Sequence, residues 1–300
     1  MSFNEGADLD TSQVIGGAGK GGIAIGGGIG GLVIILIGAF FGVDLSSVTG
    51  GSTNPFGTNQ IEPGGSQSAT DFSQCRTGAD ANRDDTCRII GTVNSVQDYW
   101  QDALPKDLDR QYQQAKTVIY SGATTSACGT ASNQTGPFYC PSDQRVYIDA
   151  SFFDELSSRF GADDGALAQE YVVAHEYGHH IQNVLGILAK AQDGRTGATS
   201  NGVRVELMAD CLAGVWAKHA STTEDADGDA LLKPLTESDV RSALSAAAAV
   251  GDDHIQQSAG ATVNPDSWTH GSSEQRQRWF MTGYDSGTIR QCDTFATNDL

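Results

Sequence analysis

The stretch VVAHEYGHHIQNV, Val172 to Val184, holds three of the chain's 6 histidines, His175, His179 and His180, with Glu176 beside them. A helix turns about 100° per residue, so positions i and i+4 share a face. His175 and His179 therefore project together and can offer two imidazole nitrogens to one cation. Glu176 lies one step round, within reach of a water bound to that cation. This is the H-E-x-x-H arrangement of zinc peptidases, here HEYGH. His180 falls off the ligand face, where it is expected to back a ligand or to be solvated.

A catalytic zinc takes three protein ligands and keeps one position for water. The third ligand is expected from NGVRVELMADCLAGVWA, where Glu206 and Asp210 again stand at i and i+4. Glu206 is assigned as the ligand. Asp210 is assigned to the outer nitrogen of a ligating histidine, whose tautomer it would fix. The same helix is apolar on several sides, so both acids are expected to be partly buried and to need partners. Zinc lowers the pKa of its water to about 7, which makes hydroxide available at neutral pH. Glu176 is assigned as the base that takes the proton and passes it to the leaving amine. For the oxyanion donor, His270 in SWTHGSSEQRQRWF is preferred to Tyr147, Tyr171 and Tyr177. Capping of the last helix is an equal reading of His270. His219 and His254 are read as surface residues.

These groups need long helices to hold them. Helical runs are expected from near Gly91, over about 166–190 and over about 201–220. Another opens at Thr236 and Asp239 and ends near Val250, and a last one covers SSEQRQRWFMTGY. Ser151 and Asp154 read as a capping box ahead of SFFDELSSRF. KTVIYSGAT and QRVYIDA are β-rich runs of strand length, joined by a loop carrying Cys128 and Cys140.

Composition bounds the rest. A formal net charge of −19 over 300 residues provides no basic footprint, so nucleic acid is excluded as a partner. From Gly21 to Val43 there is no charged residue. As a helix that run spans roughly 34 Å, enough to cross a bilayer core. It lacks a basic leader and a convincing cleavage site, so an uncleaved anchor over 21–43 is expected rather than a signal peptide. Lys20 ahead of the span puts residues 1–20 in the cytoplasm as a tail and the remainder outside. Residues 44–72, rich in Ser, Gly, Thr and Asn, read as a flexible linker, and 73–300 as the folded domain. The 6 cysteines permit three bridges in an oxidising compartment. Cys75 and Cys87 stand twelve apart, as do Cys128 and Cys140, which suits two local loops; Cys211 and Cys292 would close a long one. Asp225, Asp227 and Asp229 alternate, but the Gly and Glu that a calcium loop requires are missing, so they read as a solvated loop.

Taken together, GPFYCPSDQRVYIDASFF, VVAHEYGHHIQN, VELMADCLAGVWA, THGSSEQRQRWF and the closing CDTF resemble the bacterial family described as putative neutral zinc metallopeptidases, over roughly 73–296. The resemblance implies an N-terminal membrane segment followed by an α+β, zincin-like domain, mainly helical with a small sheet. It implies zinc on His175, His179 and Glu206, with Glu176 as base, and a Glu-x-x-x-Asp pairing similar to that of gluzincins such as thermolysin. It also implies an edge strand that holds an extended peptide, supplied by KTVIYSGAT or QRVYIDA. The expected function is a membrane-anchored zinc peptidase acting on peptides or proteins outside the cytoplasm. The alternative is a non-enzymatic envelope protein whose zinc merely ties two helices together.

Overall fold

The computed structural model describes residues 1–17, 71–132, 136–191, 193–225 and 227–300. Strand β1 (Val14–Gly16) comes first. A single-turn helix, α1 (Gly78–Ala81), precedes the 24-residue α2 (Asp85–Leu108), whose start is capped by Asp84 accepting from the Cys87 N–H. Then follow β2 (Lys116–Tyr120), the hairpin β3 (Ala123–Ser126) and β4 (Gly129–Ser132), β5 (Phe138–Cys140) and β6 (Arg145–Asp149). Helices α3 (Phe152–Ser158), α4 (Ala166–Val184), α5 (Asn201–His219), α6 (Glu237–Ala249), α7 (Asp252–Ser258) and α8 (Ser273–Ser286) complete the chain. The class is α+β, with helices predominating over a small sheet.

The sheet runs β1-β2-β6-β5, with the first three strands parallel and β5 antiparallel to β6. β2 and β6 are buried at four of five positions, which is why both read as near-continuous apolar runs. Both are interior strands, so the expectation that one of them forms the peptide-binding edge is corrected. The edges are β1 and β5, each only three residues long and too short to announce itself by periodicity.

Two close approaches set the helix packing. A side chain at Gly178 would meet the backbone of Ala209 at 3.0 Å, so the glycine inside HEYGH lets α4 press on α5 between Glu206 and Asp210. Gly214 of α5 and Gly283 of α8 lie reciprocally against the other helix's backbone. That contact brings α8 alongside Asp210.

The largest departure from the sequence reading lies at the start. Residues 1–17 are part of the folded body: Val14–Gly16 pairs with Thr117–Ile119, and Met1, Phe3, Ala7 and Val14 are core residues. Phe72, placed in the linker, is buried as well. Residues 1–17 therefore pack with the domain as one body, where the sequence reading separates them as a tail. The anchor expected over 21–43 lies outside the described residues, and among the described residues no helix is long and apolar enough to cross a membrane.

Smaller corrections follow from tertiary contacts. α2 begins six residues before Gly91. Ser151 does not cap α3; its hydroxyl bonds Asp149 at 2.8 Å instead. His219 and His254 are half-buried, bonded to the carbonyls of Gly287 at 2.9 Å and Phe160 at 3.0 Å. Asp225 accepts the N–H groups of Asp227 and Asp229 at 2.9 Å, which closes its loop on itself. The cysteines pair as Cys75–Cys87, Cys128–Cys140 and Cys211–Cys292, leaving none free.

Candidate active site

α4 and α5 carry their two i, i+4 pairs face to face. His175 Nε2 lies 3.2 Å from Glu206 Oε2, and His179 Nε2 lies 3.5 Å from Glu206 Oε1. One donor atom from each of the three falls within 4.8 Å of the others. Glu176 is buried on the same helix, 8% exposed. Two imidazoles and one carboxylate around a common point are the donor set of a catalytic zinc.

The outer nitrogens are each tied down. His175 Nδ1 bonds Asp210 Oδ1 at 2.8 Å, as expected for Asp210. His179 Nδ1 bonds Gln182 Oε1 at 2.9 Å, and the Gln182 amide donates to Val205 O on the facing helix. Both inner nitrogens are thereby aimed at Glu206. Asp210 also accepts from the Tyr171 hydroxyl at 2.5 Å and from Arg276 Nε and Nη2, both at 2.9 Å. Gln182 and Arg276 were not singled out in the sequence. Gln182 sits at i+3 from His179, a pairing that sequence could have flagged; Arg276 meets Asp210 only through the packing of α8 on α5.

The electrostatics follow from this packing. Burial opposes ionisation of Glu206 and Asp210, yet His179 and His175 hold Glu206 well below the usual carboxylate range, and Arg276 with His175 lowers Asp210. Burial raises Glu176, only partly offset by the two imidazoles, which suits a base.

The oxyanion candidates separate by what occupies them. Tyr147 OH donates to Asp143, Tyr177 OH is bonded to Thr117 Oγ1, and Tyr171 OH is held on Asp210. His270 does not cap α8; Ser272 and Gln275 form that capping box. Its Nδ1 lies 2.9 Å from Thr269 Oγ1 and 3.4 Å from Asp252 Oδ1, and it influences the ionisation of Glu206. Burial works against charge on His270, but Asp252 and Glu206 raise it overall. Asp252 Oδ2 also accepts the backbone N–H groups of Thr269, His270 and Gly271, between 2.7 and 3.0 Å, and so builds the loop that presents the histidine. Sequence reasoning missed Asp252. His180 is neither solvated nor on a ligand: it is buried, with Nδ1 on Tyr139 OH at 3.0 Å and Nε2 on Gln113 O, locking α4 to β5.

A helix-borne pair of histidines with a buried glutamate between them, completed by a glutamate from the next helix in a small α+β domain, is a metal-binding site of the HExxH class. More particularly, the chain belongs to the family described as "Putative neutral zinc metallopeptidase", whose profile matches residues 4–295. That match takes in the N-terminal residues that fold against the domain. The chain is 49% identical over 261 residues to uncharacterized protein Rv2575 of Mycobacterium tuberculosis, covering 86% of this chain and 85% of that one. It is 38% identical over 286 residues to uncharacterized protein YpfJ of Escherichia coli, covering 93% and 88%. No solved structure matches. Zinc is the metal this family implies, and His175, His179 and Glu206 fit it: a buried N,N,O set with both outer nitrogens already bonded.

Proposed function

We propose that the protein is a zinc-dependent peptidase that hydrolyses peptide bonds with a water activated at the His175, His179 and Glu206 site. The observation that carries this reading is the burial of Glu176 beside three converging ligands, since a purely structural zinc has no use for a base. Zinc held there supplies Lewis acidity for the scissile carbonyl and a lowered pKa for water. Glu176 takes the proton of the attacking water and returns it to the leaving nitrogen. His270, protonated, donates to the developing oxyanion while Asp252 holds its ring. The edge strand β5, packed on α4, offers backbone groups to an extended peptide. Three disulfides support action in an oxidising compartment outside the cytoplasm.

Treating the purified chain with a chelator should remove peptide cleavage entirely, and one equivalent of zinc should restore it. Cleavage that persists in metal-free protein contradicts the proposal.

The pH profile tests His270 separately. Asp252 favours the charged ring, so kcat of the zinc-loaded protein should fall as pH rises through the His270 pKa. Asp252→Asn removes the carboxylate that favours the charged ring, and the alkaline limb should move down by about one pH unit. An unmoved limb assigns it to another group.

A further inference from the structure

The three residues of β5 are each anchored, and by different neighbours. The Phe138 ring stacks on Tyr147 of β6 with 4.9 Å between centroids, and Cys140 is bonded to Cys128 in the turn of the β3–β4 hairpin. Side chains alternate across a strand, so these two lie on one face of the sheet and Tyr139 on the other, the face packed on α4. Tyr139 is thus the residue that ties this short strand to the metal-bearing helix.

Two residues of α4 hold the Tyr139 hydroxyl. His180 Nδ1 lies 3.0 Å from it, and the Asn183 side-chain amide donates to it at 3.1 Å. His180 Nε2 is bonded to Gln113 O. A carbonyl only accepts, so Nε2 carries the proton of that bond. His180 is buried, which favours the neutral ring and leaves Nδ1 as an acceptor. The Tyr139 O–H therefore donates to His180, and its oxygen accepts from Asn183. A slip of β5 by one residue would turn Tyr139 to the other face and break both bonds.

The place of this clamp on α4 connects it to the chemistry. Glu176, His180 and Asn183 stand at i, i+4 and i+7, one face of the helix. His180 is about 6 Å along the axis from Glu176. β5 therefore lies along the face that carries the buried glutamate. Among the described residues β5 pairs only with β6, so its outer edge has no strand on it. The clamp is also separate from the groups that orient the ligands, since Asp210 and Gln182 hold the outer nitrogens of His175 and His179.

Resting on the peptidase reading above, we propose that Tyr139, through His180 and Asn183, is a positioning residue that fixes an extended peptide on β5 relative to Glu176 and the metal. A peptide paired with β5 takes its position from that strand, and a misplacement of about 1 Å can cost a hundredfold in rate. Without the hydroxyl, each peptide that binds has to order the strand as well, and that cost is subtracted from its affinity.

The test uses zinc-loaded Glu176→Gln protein, which holds a peptide without consuming it. One probe is an eight-residue peptide selected from a randomised pool by its binding to this protein. The other is acetohydroxamate, a small chelator that meets the metal and does not reach along β5. Adding Tyr139→Phe should weaken binding of the octapeptide by about tenfold or more, and of acetohydroxamate by less than about threefold. Zinc affinity should also change by less than about threefold, because the bonds behind the ligands are untouched. Asn183→Leu should weaken the octapeptide on its own, but by less than about twofold once Tyr139→Phe is present, since the bond it removes is already gone. A merely structural role would lower the thermal midpoint and weaken both probes and zinc together. The proposal is overturned if no peptide of the pool is retained, if the two probes weaken alike, if zinc affinity falls with them, or if the two substitutions add. None of these readings depends on cleavage. An octapeptide that binds in a Tyr139-dependent way but is left intact by the parent protein counts against the peptidase reading alone.

Discussion

Replacing Glu176 with Gln is expected to leave zinc bound and the fold intact while cleavage falls by roughly a thousand- to ten-thousandfold, on the order of 4–5.5 kcal/mol of transition-state stabilisation. Three effects compete in this variant. Loss of the base acts only on the chemical step. Loss of a negative charge near the cation weakens zinc binding slightly, because Glu176 lies outside the three-ligand cluster. Loss of a buried carboxylate whose burial already disfavours its ionised form should be neutral or mildly stabilising. The first effect dominates, so kcat should collapse while zinc stoichiometry and the thermal midpoint stay at parental values. This result also separates an enzyme from a partner-binding protein with a structural zinc. Equal cleavage by variant and parent would falsify the proposed role of Glu176.

What made this site legible is its local periodicity. His175 with His179, and Glu206 with Asp210, are each one helical turn apart, and helix faces follow from spacing alone. The helix over Asn201–His219 was readable for the same reason: nothing breaks its pattern, and Ser200 caps it by accepting the Val203 N–H. α4 stops at Val184 instead of running to about residue 190, because Gly186 turns the backbone to a positive φ of 71°. Residues defined only by distant neighbours were not readable. Asp252 looks like any helix-opening acid until three backbone N–H groups of the 269–271 loop converge on it. β1 is three residues that become a strand only by pairing with β2 about a hundred positions away. Met1 to Phe3 show no pattern at all; their burial depends on helices that come much later in the chain. Composition misled here, since a polar, acidic start next to an uncharged run reads as a tail.

Asp210 poses the sharper energetic question, because among its three partners it serves both a metal ligand and a buried cation. It orients His175, and it neutralises Arg276, a residue only 3% exposed. Losing an orienting bond of this kind costs about ten- to a hundredfold in metal affinity, roughly 1.4–2.8 kcal/mol. Leaving a buried guanidinium without its carboxylate costs about 3–5 kcal/mol of fold stability. Asp210→Leu should therefore be more conspicuous as a folding defect than as a metal defect, with a midpoint lowered by about 10 °C. Adding Arg276→Met in that background removes the stranded charge and fills the space with apolar atoms. Much of the midpoint should return, because apolar replacements of buried pairs are often tolerated. Zinc affinity should not return, because His175 Nδ1 still lacks its acceptor and the ring is free to turn. Melting curves and zinc titrations of the parent, the single variant and the double variant separate the two roles. Recovery of both quantities together in the double variant would mean that Asp210 acts on the metal only through the integrity of the fold.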